Sequence, residues 1–346
     1  MSMRPIWRLL GRLLAIVVAL LLVATAAASI LLFTPVLDPS LGARPSPFVS
    51  YSTAAAQIDQ TLADEAELPL IAKGGSIALL TGKRAKTAVV IFHGYTNTPD
   101  EFRLIARAYA DQGYNVWVPR LPHHGLADKM TADFSLITAE ELRAFVDHSI
   151  DIAAGLGEQV LALGASGGGT LATWAALERR EVTRSVLISP LLSPGGYPRW
   201  LVPPMARALR LSPVDAYNWW SPEKGAANVA GMVYPRYSLK GIAAFLELQI
   251  WAESRLQHEA FPVQGSILLI RNDGDPSIDH DFNEEFVGRL VPPERLSVHR
   301  IPASAGLNHD IVCPDPEFAT DAQVTEAYRQ LSAALQIPLP DPLAVR

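Results

Sequence analysis

Short apolar runs alternate with segments of helical spacing over residues 76–188. In the helical segments, apolar side chains recur three or four positions apart, as Phe102, Ile105 and Tyr109 do, so that they share one face of a helix. The predicted strands are 76–80, 87–92, 115–118, 159–163 and 185–188, and the predicted helices are 100–112, 138–154 and 171–177. This alternation predicts an α/β fold with a mostly parallel sheet and helices on both of its faces.

The alternation stops over residues 189–262, which are rich in proline and aromatic residues and contain no predicted central strand. Helical character is confined there to 201–211 and 238–257. We interpret 189–262 as a mostly helical insertion that packs over the sheet edge, between a first core part (51–188) and a second one (263–346). The second part restores the earlier pattern, with strands 266–270 and 296–301 and helices 281–290 and 321–335.

Residues 13–33 carry no charge and would extend about 31 Å as a helix, which is enough to cross a bilayer. The preceding segment, 1–12, contains three arginines and is predicted to stay in the cytoplasm. We therefore predict an N-terminal transmembrane signal anchor in the inner membrane, with the rest of the chain on the extracytoplasmic side. The alternative is a signal peptide cleaved near the small residues 24–29, which would release a secreted protein. The proline-rich stretch 34–50 is predicted to be a semi-rigid linker to the membrane.

Charge and cysteine content exclude several classes of protein. Without the three arginines before the apolar segment, 26 Lys and Arg face 35 Asp and Glu, a net charge of −9 (26 minus 35), which argues against a nucleic-acid partner. The single cysteine, Cys313, rules out an intramolecular disulfide and a cysteine-based zinc site. No third ligand at metal spacing accompanies His123 and His124, so neither a metal nor another cofactor is predicted.

The candidate chemistry begins at a G-x-S-x-G pattern, residues 164–168, which lies between a predicted strand and a predicted helix. In that context a serine occupies a sharp turn, and neighbouring side chains would collide there, so glycine is favoured on both sides. Ser166 is the candidate nucleophile, and the N–H of Gly167 points toward the start of a helix, where negative charge is favoured. The alternative is an ordinary strand-to-helix turn that happens to contain a serine.

A second motif, His93-Gly94-Tyr95, directly follows the predicted strand 87–92. Its turn can present the backbone N–H of Tyr95 toward Ser166, and together with the N–H of Gly167 this would form an oxyanion hole. The side chain of His93 is expected to bond the loop. We also expect His93, Gly94 and His124 to border the substrate pocket.

A serine nucleophile needs a base, and the base needs a carboxylate that fixes its tautomer. Asp275 is our candidate for the carboxylate, with Asp273 second and Asp279 possible only if its loop folds back. His309 is the candidate base, because it follows a strand end and completes the order Ser, Asp, His along the chain. His299 lies within a predicted strand and is a poorer candidate.

With these motifs, residues 87–335 resemble the α/β-hydrolase superfamily, and within it the bacterial carboxylesterases and monoacylglycerol lipases, a group that overlaps the serine aminopeptidase-like hydrolases. The resemblance implies that Ser166, Asp275 and His309 form a catalytic triad and that 189–262 is a lid. Two positions depart from the family pattern: Gly167 stands where a larger side chain is common, and His123 where a glycine is usual.

The activity implied is hydrolysis of a carboxylic ester through an acyl-enzyme, with an acylglycerol or other lipid-like ester as the expected small-molecule partner and the membrane as the partner of the N-terminal helix. The alternatives are acyl transfer to another acceptor, peptidase or amidase activity, and a non-catalytic protein that uses the fold to bind a ligand.

Overall fold

The computed structural model describes residues 13–23, 25, 26, 29, 38–220, 234–257, 259–314 and 319–345. Its strands are β1 (Ile77–Leu79), β2 (Ala85–Phe92), β3 (Asn115–Val118), β4 (Gly157–Ala165), β5 (Val182–Ile188), β6 (Tyr217–Trp219), β7 (Arg236–Ser238), β8 (Ser266–Asn272) and β9 (Leu296–Ile301). Its helices are α1 (Tyr51–Ala66), α2 (Arg103–Asp111), α3 (Ala139–Leu156), α4 (Gly167–Glu178), α5 (Val202–Leu211), α6 (Leu239–Arg255), α7 (His280–Gly288) and α8 (Asp321–Leu335).

Seven strands form one sheet in the order β1-β3-β2-β4-β5-β8-β9. Strand β1 is antiparallel to β3, and the other neighbours are parallel, as predicted. Because parallel strands end at the same edge, the loops after β2, β4, β8 and β9 meet there. The pairing Phe92↔Gly164 brings the ends of β2 and β4 side by side at that edge.

Both faces of the sheet are covered, which explains why its central strands are continuously apolar. In β2, Ala88, Val90 and Phe92 belong to one hydrophobic cluster, while Val89 and Ile91 belong to another on the opposite face. The first cluster includes residues of α3, α4 and α6, and the second includes residues of α2 and α8. The predicted fold class is therefore confirmed for the sheet and its flanking helices.

The insertion contains the two predicted helices, as α5 and α6, and also a two-stranded antiparallel sheet, β6–β7, which the sequence pattern did not indicate. Helix α6 belongs to the main core, because residues on more than one of its faces are buried and it packs on α4 and α3. The interpretation of 189–262 as a lid stays a prediction.

The predicted linker differs from expectation where it is described. From residue 38 onward it lies against α3 and α4: Leu41 is buried and its carbonyl accepts a hydrogen bond from Trp174 Nε1 at 2.9 Å. The N–H of Arg44 donates to Asp147 Oδ2 at 2.8 Å, and the N–H of Ser46 to Asp151 Oδ1 at 3.0 Å. An extended segment has no internal partners for its N–H groups, and here carboxylates of α3 supply them. We call residues 38–48 the strap.

Within the part of the chain that the structure describes, no helix is both long and apolar enough to cross a membrane. The predicted anchor over 13–33 therefore gains no support. Residues 24, 27, 28 and 30–33 of that prediction, together with 1–12 and 34–37, lie outside the described residues.

Candidate active site

Ser166 occupies the turn between β4 and α4 with φ 51° and ψ −120°, a backbone conformation that non-glycine residues rarely adopt. The turn is possible because the positions two residues before and two residues after Ser166 are glycines, which have no side chain to collide with the nearby backbone. A Cβ on Gly164 would lie 2.1 Å from the Gly168 carbonyl oxygen, and a Cβ on Gly168 would lie 2.0 Å from the Phe92 carbonyl oxygen. The pattern therefore needs glycine for close approach, and it holds Ser166 at the carboxyl edge of the sheet.

Three predicted residues meet at that edge. Ser166 Oγ lies 2.9 Å from His309 Nε2, and His309 Nδ1 lies 2.6 Å from Asp275 Oδ2. With its Nδ1–H donated to the carboxylate, the imidazole leaves Nε2 free to accept the serine proton. The other carboxylate oxygen of Asp275 accepts the N–H of Ser277 at 2.8 Å, which fixes the orientation of the carboxylate.

The two other candidate aspartates are occupied elsewhere. Asp273 pairs with the Arg271 guanidinium, and Asp279 caps α7 by accepting the N–H of Phe282 at 3.0 Å. His299 is also apart from the site, with its Nε2 2.9 Å from Gln330 Oε1. Of the three aspartates considered, Asp275 is the one hydrogen-bonded to His309.

The electrostatics of the pair favour a charged carboxylate beside an imidazole that gains a proton easily. Burial alone would raise the pKa of Asp275, but the nearby His280 ring and the hydrogen bond from His309 outweigh it and hold that pKa well below its usual value. Burial alone would lower the pKa of His309, but the hydrogen bond to Asp275, with the negative charges of Asp275 and Asp310, raises it above 6.5. His309 is therefore suited to take up a proton from Ser166.

The two predicted oxyanion donors border the same site. Among the described residues, the backbone N–H groups of Tyr95 and Gly167 donate to no protein acceptor. The Tyr95 turn is closed by a bond from the N–H of Asn97 to the carbonyl of Gly94, at 3.1 Å, and by a bond from the N–H of Gly94 to Glu101 Oε2, at 2.8 Å. Two unpaired donors beside a serine are the arrangement that an oxyanion requires.

His93 and His124 lie behind the pocket wall, so the prediction that they border the pocket is corrected. Both side chains are fully buried, because the loops after β2 and β3 pack their rings against each other. His93 Nε2 accepts the N–H of Leu121 at 3.0 Å, and burial lowers the pKa of His93 to about 3. Burial likewise holds the pKa of His124 well below its usual value. Gly94, the third predicted residue, does line the cavity.

A cavity of about 280 Å³ opens beside Ser166 and His309. Apolar atoms from Ile188, Trp220 and Val312 line it together with polar groups from the loops after β2 and β9. In the described ranges, no lysine or arginine lines this cavity, and no three His, Cys, Asp or Glu side chains are grouped as metal ligands. The mixed lining can contact both apolar and polar parts of a bound molecule.

The sequence reasoning missed a polar network that joins the two loops. Glu101 is buried, and burial first, then the negative charge of Asp310, raise its pKa well above the usual value. Asn97 Nδ2 donates to Asp310 Oδ2 at 2.8 Å, and Asp310 follows the candidate base in the chain. Glu101 lies at the charged start of the predicted helix 100–112, next to Asp100, so no pattern marked it as buried.

A second histidine beside the acid was also missed. His280, at the start of α7, is buried with its Nε2 3.5 Å from Asp275 Oδ2. In the sequence, only the position of His280, five residues after Asp275 and next to the predicted helix 281–290, hints at this role. His280 and His309 thus approach the same carboxylate oxygen of Asp275.

The sequence profile of the alpha/beta hydrolase family matches residues 89–330. The chain belongs to the alpha/beta hydrolase family. It is also 32% identical over 101 residues to the thermostable monoacylglycerol lipase of Bacillus sp. (strain H-257), a match covering 29% of this chain and 39% of that relative. The chain thus spans about two fifths of the length of this relative.

Solved structures resemble the chain over most of its length. A structure reported with LipS and LipT, two metagenome-derived lipolytic enzymes, is 20% identical with a TM-score of 0.56, covering 77% of this chain and 99% of its own. A monoacylglycerol lipase of Paleococcus ferrophilus is 18% identical with a TM-score of 0.51, covering 74% and 98%. A soluble variant of the monoglyceride lipase of Saccharomyces cerevisiae is 15% identical with a TM-score of 0.53, covering 75% and 91%. These likenesses support the fold, and the predicted resemblance to the superfamily is confirmed.

Proposed function

We propose that this protein is a serine hydrolase that cleaves carboxylic esters. The observation that carries the proposal is the chain of hydrogen bonds from Ser166 Oγ through His309 to Asp275, beside a cavity that Ser166, His309 and Tyr95 line. The unpaired backbone N–H groups of Tyr95 and of Gly167, which follows Ser166, add two candidate oxyanion donors. Each group has a chemical role in acyl transfer at the position where it lies. Membership of the alpha/beta hydrolase family and the similarity to a monoacylglycerol lipase support the same activity.

The reaction would proceed in two steps. Ser166 Oγ attacks the ester carbonyl carbon while its proton passes to His309 Nε2, and the N–H groups of Tyr95 and Gly167 bind the resulting oxyanion. The intermediate then breaks its bond to the leaving alcohol, which takes the proton from His309. Water, deprotonated by the same imidazole, attacks the acyl-enzyme and releases the carboxylic acid and free Ser166.

The cavity lining supports a proposal for the substrate class. Its apolar wall, with Ile188, Trp220 and Val312, suits an acyl chain, while Asn97 and Asp310 supply polar groups for the remainder. We therefore propose a neutral, amphipathic ester such as an acylglycerol as the preferred substrate. We further propose that 189–262 acts as a lid, since its Trp220 lines the cavity beside Ser166 and its Phe245 lies against Gly167.

Ester hydrolysis across acyl lengths tests both parts of this proposal. We expect the full chain to hydrolyse p-nitrophenyl esters from acetate to palmitate with a preference for medium or long chains, and Ser166→Ala to lower kcat by about 10⁶-fold, as loss of a triad serine can. Ser297→Ala, on an exposed position of β9, is the matched control. A fluorophosphonate should label Ser166 in the wild type.

Persistent hydrolysis by Ser166→Ala, or a folded wild type that is neither active nor labelled, would contradict the catalytic proposal. A preference for acetate would contradict the lipid-like substrate while leaving the mechanism intact. Cleavage of matched anilides as fast as esters would favour an amidase.

The location is proposed from the sequence pattern alone. The basic segment 1–12 and the uncharged segment 13–33 support an inner-membrane anchor with the catalytic domain outside the cytoplasm. Mass spectrometry of the protein purified from membranes tests it: an intact N-terminus in the membrane fraction is expected, and a soluble protein cleaved near residues 24–29 would overturn the proposal.

A further inference from the structure

Gly167, the proposed oxyanion donor after the nucleophile, lies directly under the ring of Phe245. A Cβ added to Gly167 would lie 3.0 Å from Phe245 Cε1 and 3.2 Å from Cδ1. Phe245 belongs to α6, in the insertion, and is fully buried, with its ring packed against that of Tyr95. The ring therefore occupies the space that a side chain at position 167 would need.

Tyr95, the other proposed donor, is held by the same helix. Its hydroxyl donates to the carbonyl of Ser238, which caps α6, at 3.1 Å. A Cβ on Gly241, in the first turn of α6, would lie only 2.1 Å from this hydroxyl oxygen, so the glycine forms a slot for it. The Tyr95 ring also packs against Phe245, with 5.3 Å between the centroids.

The contacts matter because the two donors are backbone groups, whose direction depends on peptide orientation. Glycine allows more backbone conformations than any other residue, so the Gly167 peptide needs an external constraint. Oxyanion donors act when they lie 2.7–3.1 Å from the developing charge, and small misplacements cost large factors in rate. A buried ring above Gly167 and a fitted slot for Tyr95 supply the constraint.

We propose that helix α6 orients both oxyanion donors, with Phe245 as the positioning residue for the N–H of Gly167 and the Gly241 slot as the anchor for Tyr95. This inference rests on the proposed esterase function. It assigns to part of the insertion a fixed role in catalysis. Any opening of the predicted lid that leaves the enzyme competent must therefore keep α6 in place.

Two single substitutions at the Gly167–Phe245 contact, and the double variant that combines them, test the proposal. Gly167→Leu should clash with the ring, and Phe245→Ala should leave the Gly167 peptide without its support. We expect each to lower kcat by about 10²-fold, the scale of losing one oxyanion donor, with KM within about threefold of wild type. Affinity for a boronic acid that mimics the tetrahedral intermediate should fall in parallel with kcat. In the double variant, the introduced leucine side chain can fill the space that the ring vacates, and kcat should recover at least about tenfold over either single variant.

Phe286→Ala is the matched control, because Phe286 is equally buried but lies in α7. It should lower the melting temperature without changing kcat or boronate affinity. If Phe245→Ala does not fold, the smaller substitutions Gly167→Ala and Phe245→Leu are used in its place. Each alone should again lower kcat, and the double variant should recover it.

Single variants that keep wild-type kcat, or a folded double variant no better than the worse single one, would overturn the proposal. So would a loss of stability without loss of boronate affinity. Ser166→Ala, measured beside them, distinguishes failure of the esterase proposal from failure of the positioning proposal. If Ser166→Ala abolishes hydrolysis while the Gly167 and Phe245 variants have no effect, the esterase proposal stands and the positioning role of α6 fails.

Discussion

Nδ1 of His309 lies 2.6 Å from Oδ2 of Asp275, although 34 positions separate the two residues in the chain. The contact forms because β8 and β9 are parallel neighbours whose loops leave the sheet at the same edge. It gives the imidazole one tautomer and directs its other nitrogen at Ser166. The first two predictions concern this pair.

Substitution of each aspartate in the loop after β8 should show that Asp275, and not Asp273 or Asp279, is the catalytic carboxylate. Asp275→Asn is expected to lower kcat by about 10⁴-fold, because an amide can donate to Nδ1 and so favour the wrong tautomer. Asp273→Asn should change kcat little, since Asp273 pairs with Arg271. Asp279→Asn should also keep activity, because asparagine can cap α7 as well as aspartate does. Steady-state kinetics of the three variants decides the assignment, and a larger loss from Asp273→Asn would refute it.

The pH dependence should report the protonation of His309. The imidazole must be neutral to accept the serine proton, and the charges of Asp275 and Asp310 raise its pKa above 6.5. We therefore expect kcat/KM to increase with pH through a midpoint above 6.5 and then level off. Asp310→Asn removes one of these charges and should move the midpoint to lower pH. The exposed Asp111→Asn is the control, and an unmoved midpoint in Asp310→Asn would count against the electrostatic argument.

Buried Glu101 should make stability depend on pH. Its pKa is raised well above the usual value, by burial first and by Asp310 second, so the folded state favours the neutral carboxyl. The stability that neutral Glu101 contributes is fully present below the unfolded-state pKa and is lost as pH rises through the folded-state pKa. Glu101→Gln keeps an acceptor for the N–H of Gly94 without this loss. Its free energy of unfolding relative to wild type should therefore increase between pH 5 and pH 9.

Urea unfolding at both pH values measures this difference, with the exposed Glu140→Gln as control. Glu101→Ala should instead cost about 1–3 kcal/mol at either pH, because it leaves the Gly94 N–H without an acceptor. A Glu101→Gln variant whose stability relative to wild type is the same at both pH values would show that the carboxyl is charged in the folded protein.

Arg179 should hold the strap through the carboxylates that bind it. Its fully buried guanidinium pairs with Asp147 and Asp151, which also accept the strap N–H groups of Arg44 and Ser46. Arg179→Met leaves buried Asp151 without its cation and Asp147 with Arg143 alone, and it should cost about 3–5 kcal/mol in the free energy of unfolding. Exposed Arg107→Met, which also loses an ion pair, should cost far less.

Limited proteolysis complements the unfolding measurement. Cleavage within residues 38–48 should become fast in Arg179→Met and stay slow in Arg107→Met, because Arg179 pairs with both carboxylates that hold the strap and Arg107 pairs with neither. Equal protection of the strap in both variants would mean that Trp174 and the apolar contacts of Leu41 suffice to hold it.

The sequence by itself determined the features that depend on local geometry. Apolar periodicity placed the sheet strands and the main helices, because burial on one or both faces imposes a fixed spacing on any chain that forms them. The glycines around Ser166 indicated a turn of close backbone contacts, and the order of Ser166, Asp275 and His309 along the chain indicated which loops would meet. These conclusions needed only short-range sterics and the rule that parallel strands end at one edge.

Tertiary structure alone decided what depends on contacts between distant segments. It separated Asp275 from Asp273 and Asp279 through the partners that each one finds, and it buried His93 and His124 behind the wall that they were expected to border. It also placed residues 38–48 of the proline-rich segment as a strap against α3 and α4, and it packed α6 into the hydrophobic core. The decisive partners, such as His309 for Asp275 and Trp174 for the strap, lie far away in the chain. The free energy of burial and pairing with them, which no local pattern records, determines where these residues go.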